Sequence, residues 1–258
     1  MPTTESKGVR LHYELSGDPQ GPLLILANSL GSSTRMWDKV LPALAKKNRI
    51  LRFDMRGHGQ SSVVQEPFTI ENLGRDVLLL LDELQVQRAS VCGLSLGGLV
   101  ALWLGIHAPE RINRLILANT AARIGTRAMW DQRVEAVKRE GMLALASATI
   151  GRWFTPDFRS RHPDEIETIR SMIAGTNPAG YCACCAVLRD ADVSRDAGKT
   201  IAPTLVISGT HDPATPPEDG RALHASIQKS KYVELHASHL SAWESADDFA
   251  AAVTTHLF

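Results

Sequence analysis

The chain has 258 residues, and its 28 Lys and Arg are matched by 28 Asp and Glu, a formal net charge of zero. Hydrophobic residues at 44% and charged residues at 22% mark a globular composition, and the neutral balance supplies no field for nucleic acid or an anionic membrane surface. Four cysteines are too few to scaffold a chain of this length and show no repeated zinc half-site. The first fifteen residues lack the apolar core of a signal peptide, and no run approaches the ~18 apolar residues of a membrane span. The expectation is one large α/β domain or two small ones, soluble and cytoplasmic.

In chain order, residues 8–15 (GVRLHYEL) alternate like a half-exposed strand, ended by the turn residues from Ser16 to Pro22. LLILA at 23–27, RILRFD at 49–54, RASVCG at 88–93, RLILAN at 114–119, PTLVISG at 203–209 and KYVELH at 231–236 follow. Most are continuously apolar, as parallel strands covered on both faces are. Amphipathic stretches such as 71–84 and 96–108 lie between them. The alternation predicts an α/β fold, a mostly parallel, doubly wound sheet with helices on both faces. It fails from about Ala122 to Thr200, where helical periodicity runs on without a convincing strand. Residues 1–121 and 201–258 are therefore expected to form the core, and residues 122–200 a helical cap over it.

Gly93-Leu94-Ser95-Leu96-Gly97 reads G-x-S-x-G, at the end of one apolar strand and the start of a helix. A sharp strand-to-helix turn excludes bulky neighbours at 93 and 97 and aims the free N–H groups of the helix at the serine oxygen. Ser95 is the candidate nucleophile. Here the chain resembles the α/β-hydrolase family over nearly its whole length, and in that family the order is serine, acid, histidine. The resemblance implies Asp212, in GTHDPATPP, as the acid and His239, in HASHLSAWE, as the base. Both follow strand ends, so all three can meet at one edge of the sheet, with the carboxylate orienting the imidazole. The rivals are His236, which ends its strand, His211 beside the acid, and Glu218 and Asp219, which open the next helix.

The oxyanion hole requires two backbone donors: the Leu96 N–H and, from the loop Asn28-Ser29-Leu30-Gly31, the Leu30 N–H. Many relatives have His-Gly where this chain has Asn-Ser, but backbone donation survives that change, and Asn28 and Ser29 are placed to buttress the loop. The stretch Asp54–Ser61 (DMRGHGQS) has two glycines, lacks the third of a dinucleotide loop, and reads as a structural turn. No motif calls for a metal or a cofactor.

In the cap, Trp130, Arg133, Val134 and Val137 share a helix face. An arginine in an apolar stripe either snorkels, or pairs with a neighbour such as Asp131, or lines a pocket and meets a substrate carboxylate. NSLGSSTRMWD, CGLSLGG, NTAARIGT, MWDQR, GYCACCAVLRDAD, the TPP after the acid and ASHLS together resemble the 3-oxoadipate enol-lactonase family. That resemblance implies ring opening of 3-oxoadipate enol-lactone to 3-oxoadipate in the beta-ketoadipate pathway of aromatic catabolism. It also implies a small anionic lactone as partner, Arg133 as its carboxylate ligand, with Arg123 and Arg189 in reserve, and Trp130 as a wall for the flat ring. Cys92, Cys182, Cys184 and Cys185 read as structural thiols; Trp103 and Trp243 read as packing residues, while Met36 and Trp37 fit packing or pocket lining equally. The alternatives are another small-ester or carbon–carbon bond hydrolase, and a ligand receptor on a degenerate scaffold. A haloalkane dehalogenase is disfavoured, because it needs an aspartate at position 95.

Overall fold

Runs in which every side chain is apolar have no face to offer water, and here they become the middle of a sheet. The computed structural model describes residues 3–6, 8–64 and 66–258. Its strands are β1 (Thr3–Ser6), β2 (Val9–Gly17), β3 (Leu23–Ala27), β4 (Arg49–Phe53), β5 (Ala89–Leu94), β6 (Ile112–Ala118), β7 (Thr204–Gly209) and β8 (Ser230–Leu235). They form one sheet in the order β1-β2-β4-β3-β5-β6-β7-β8. The β1–β2 and β2–β4 pairs are antiparallel and all the others parallel. Every residue of β3, β5 and β7 is buried, whereas in β8, at the edge, only Leu235 is.

All seven runs expected to be strands are strands, with ends displaced by two residues at most. The sequence reading did not anticipate β1. Its four residues, TTES, are polar, and they become a strand only by pairing along β2.

The helices are α1 (Leu41–Leu44), α2 (Ile70–Glu83), α3 (Leu96–His107), α4 (Arg127–Trp153), α5 (Pro156–Arg161), α6 (Pro163–Ala174), α7 (Pro178–Asp190), α8 (Pro217–Ser226), α9 (Ser241–Glu244) and α10 (Ala246–Leu257). Residues Leu96 to Gly105 of α3 are all buried, which fits its uniformly apolar sequence; each leucine so placed contributes about 2 kcal/mol of burial. Four helices, α4 to α7, separate β6 from β7, and no strand lies between them among the described residues. Gly141, with φ 77° and ψ 177°, breaks α4 into two arms. Cys184 and Cys185 face inward from α7, and burial pushes both thiols up, Cys184 to about 12. With Cys92, also buried, they pack as uncharged groups. No helix among the described residues is long and apolar enough to cross a membrane.

Candidate active site

Ser95 sits between β5 and α3 with φ 57° and ψ −116°, a left-handed conformation that a side chain adopts only under constraint. The constraint is visible in its hydrogen bonds. Ser95 N–H donates to Ala118 O at 2.9 Å, and its carbonyl accepts from Leu99 N–H at 3.0 Å and the Thr120 hydroxyl at 2.8 Å. The flanking glycines are needed for contact. A Cβ on Gly93 would lie 2.0 Å from Gly97 O, and one on Gly97 would lie 2.0 Å from Ala27 O. The exclusion of side chains at 93 and 97 thus comes from backbone packed on backbone.

Asp212 follows β7, and His239 follows β8 by a short loop. Nδ1 of His239 lies 2.8 Å from Oδ2 of Asp212, and both residues are buried. The same Oδ2 accepts from Asn119 Nδ2 at 3.0 Å and the Thr215 hydroxyl at 2.8 Å, while Oδ1 accepts from the N–H groups of Ala214 and Thr215 at 2.8 and 3.2 Å. Burial pushes this carboxyl up, but the charge of His239 and the bonds from His239, Asn119 and Thr215 outweigh it and hold the pKa below the usual carboxylate range. The acid is therefore ionised and fully partnered, so it can orient an imidazole and stabilise its protonated form.

The rivals lie elsewhere. His236 and His211 are exposed and meet each other edge to face at 4.8 Å. Glu218 and Asp219 occupy the first turn of α8.

Leu30, in the loop after β3, and Leu96, the first residue of α3, carry N–H groups with no acceptor among the described residues. The loop is braced as expected at Asn28, whose Nδ2 donates to Phe53 O at 2.7 Å and whose Oδ1 accepts from Trp37 Nε1 at 2.8 Å. Ser29 contributes through its backbone instead: its N–H meets Met36 Sδ at 3.2 Å. Both Met36 and Trp37 are fully buried, so packing is their place, and they also partner the loop.

One cavity contains Leu30, Ser95 and His239 together with side chains from α4 and α7, among them Trp130, Arg133, Arg152, Trp153 and Tyr181. Trp130 is buried and donates from Nε1 to Ile124 O at 2.7 Å. Arg133 lies over the Trp130 ring at 5.9 Å and donates to the Tyr181 hydroxyl at 3.3 Å. Asp131 is not its partner; that carboxylate pairs with Arg189 at 3.2 Å. Arg123 is likewise engaged, with Asp192 at 3.5 Å.

Sequence reasoning missed Arg152. It stands on the second arm of α4, half-buried, and its Nη2 donates to Thr149 at 3.1 Å. Neither Arg133 nor Arg152 has a carboxylate partner among the described residues. Burial, and then the neighbouring charge of Arg133, lower the pKa of Arg152. Two guanidinium groups without a carboxylate partner in the cavity of Ser95 and His239 can offer charge-assisted hydrogen bonds to an anionic group. Asn119 and Thr215 were missed as well. Asn119 has φ 45° just past β6, and this unusual backbone aims its amide at Asp212.

A profile of the alpha/beta hydrolase fold matches residues 22–246. The chain is 40% identical over 97% of its length to 3-oxoadipate enol-lactonase 2 of Acinetobacter baylyi, covering 94% of that protein. It is 37% identical over 95% of its length to 3-oxoadipate enol-lactonase 1 of the same organism, covering 92%. The crystal structure of the enol-lactonase from Burkholderia xenovorans superposes with a TM-score of 0.97 at 43% identity, over 99% of both chains. The chain belongs to the α/β-hydrolase family and, within it, to the enol-lactonase group. It is a hydrolase of the carboxylic-ester class.

Proposed function

We propose that the protein opens 3-oxoadipate enol-lactone to 3-oxoadipate in the beta-ketoadipate pathway, with Ser95 as nucleophile, His239 as base, Asp212 as orienting acid and residues 122–200 as the substrate-selecting cap. The observation that carries the reading is the meeting, in one cavity, of Ser95 and His239 with two arginines that lack a carboxylate partner. The relatives named as 3-oxoadipate enol-lactonases support the choice of lactone. His239 takes the proton of Ser95 as its oxygen attacks the lactone carbonyl, and the N–H groups of Leu30 and Leu96 receive the oxyanion. Collapse breaks the ring C–O bond; the enol oxygen leaves, takes the proton from His239, and tautomerises to the ketone. Water activated by His239 then hydrolyses the acyl-enzyme, releasing a diacid and restoring Ser95. Arg133 and Arg152 hold the substrate carboxylate, and Trp130 walls the flat ring.

Turnover of the purified enol-lactone, compared with neutral aryl esters of similar size, tests the reading. A kcat/KM for the lactone at least a hundredfold above that for the esters is expected. Esters favoured over the lactone would move the assignment to a general small-ester hydrolase. Failure of any serine-directed probe to label Ser95 would move it to a receptor.

A further inference from the structure

The turn Asp54–Ser61, which the sequence marks as structural, reaches the oxyanion loop through His58. Its ring is buried, with Nε2 2.9 Å from Gly31 N and Nδ1 3.3 Å from Arg56 O. A backbone N–H only donates and a carbonyl only accepts, so Nδ1 carries the proton and Nε2 is the acceptor. Burial lowers the pKa to about 4, so the acceptor persists at neutral pH. The preceding peptide is gripped at its oxygen: Ser29 C=O accepts the Ser32 hydroxyl at 2.7 Å and the Ser32 N–H at 3.3 Å. In a trans peptide the N–H points opposite to the C=O. Gripping the Ser29 oxygen therefore aims the Leu30 N–H the other way. Gly31 has φ 78°, and its own carbonyl accepts the Thr176 hydroxyl from the helical insertion at 3.2 Å.

We propose that His58 and Ser32 are positioning residues of the oxyanion hole. His58 pins the Leu30–Gly31 peptide through the Gly31 N–H, and Ser32 pins the Ser29–Leu30 peptide through the Ser29 carbonyl. Together they hold the Leu30 N–H where negative charge develops. The proposal rests on the reading of Ser95 as nucleophile and Leu30 as donor. Neither side chain belongs to the cavity wall, so both act through the loop. Removing the acceptor at 58 leaves a buried N–H unsatisfied and releases the peptide to rotate. A misaimed donor loses transition-state binding and leaves ground-state binding intact.

The test uses a trifluoromethyl ketone, whose free carbonyl carbon is attacked by the serine oxygen as His239 takes the serine proton, leaving a hemiketal oxyanion in the hole, alongside kcat and KM for a neutral aryl ester. His58→Leu is expected to weaken inhibition about thirtyfold and lower kcat comparably with KM nearly unchanged, part of the hundredfold or more that a whole donor supplies. His58→Gln keeps an acceptor for Gly31 and a donor for Arg56, and is expected to stay within about threefold of the wild type. Ser32→Ala, which keeps the backbone bond, is expected to weaken inhibition about fivefold. A folded His58→Leu protein inhibited as tightly as the wild type overturns the proposal. If His58→Leu does not fold, unchanged inhibition of folded Ser32→Ala overturns it instead. Absence of inhibition in the wild type itself removes the serine reading, and this proposal with it.

Discussion

The hydroxyl of Ser238 lies 2.7 Å from the backbone carbonyl of Arg152, to which it donates. Two residues on, Leu240 N–H donates to Trp153 O at 3.0 Å. The candidate base, His239, is thus bracketed on both sides by bonds to the end of α4, the helix that also carries Arg133 and Arg152. Glu244 adds a third tie: one carboxylate oxygen accepts Ser238 N–H at 2.7 Å, and the other accepts the Thr155 hydroxyl at the start of α5. The guanidinium groups of Arg133 and Arg152 and the imidazole of His239 are thus carried on one framework.

Ser95→Ala is predicted to abolish turnover, a loss on the order of a million-fold in kcat, while leaving the circular dichroism spectrum unchanged. The strain at φ 57° resides in the backbone and its glycine neighbours, which this substitution does not touch. Initial rates with a folded mutant decide the matter, and substantial residual activity would reject the serine mechanism.

His239→Ala should be nearly as damaging, and Ser95→Ala/His239→Ala little worse than either single change, because such groups act as a unit. His236→Ala, at an exposed position away from the cavity, should keep most activity. Parallel rate measurements on the four proteins check this. Loss of activity in His236→Ala would transfer the role of base.

Arg133→Met and Arg152→Met keep much of the side-chain volume and remove one charge each. For the carboxylated lactone each is predicted to lower kcat/KM by about thirty- to a thousand-fold, roughly 2–4 kcal/mol, and to affect a neutral aryl ester far less. The ratio of the two kcat/KM values is the readout. An unchanged ratio in either mutant would remove that arginine from carboxylate binding.

Much of this arrangement was legible in the sequence, for physical reasons that also explain the gaps. The strands and the turn around Ser95 were readable because continuous apolar runs and closely spaced glycines are local signals. Asp212 and His239 were what the family resemblance implied, and their positions just past strand ends agreed with it. Arg152 was not readable: a helix-face argument that began at Trp130 loses its phase at Gly141, where α4 bends. His58 was not readable as a partner of Gly31 because 27 residues separate them and only the β3–β4 pairing brings their loops together.

Stability should depend on pH through His58. Its folded pKa is lowered to about 4 from 6.5, so between these values the unfolded chain binds a proton that the folded chain refuses. The contribution is intact above about pH 6.5 and is lost as pH falls towards 4, by about 3 kcal/mol in total. Urea denaturation at pH 7 and pH 4.5 should show this fall in the wild type and a shallower one in His58→Gln. Equal falls in both proteins would contradict it.

Arg56 and Asp76 form a buried two-bond pair at 2.7 and 2.5 Å, with the guanidinium over the Phe68 ring at 5.1 Å. Asp76→Ala leaves a buried cation unpartnered and should cost about 3–5 kcal/mol by denaturant titration. Arg56→Met/Asp76→Leu removes both charges and should cost less than Asp76→Ala alone. A double mutant less stable than the single would overturn that account.

Gly141 has open space around the position of a Cβ, so its torsion, rather than any neighbour, demands glycine there. Arg133 and Arg152 lie on opposite sides of that joint. One arm is stitched to the loop of His239, and the other leans through Arg133 on Tyr181 of α7. The separation of the two cations therefore follows from the bend at Gly141 together with these two ties. On the proposed function, altering that bend would change the length of acid that spans Arg133 and Arg152 while leaving both arginines in place.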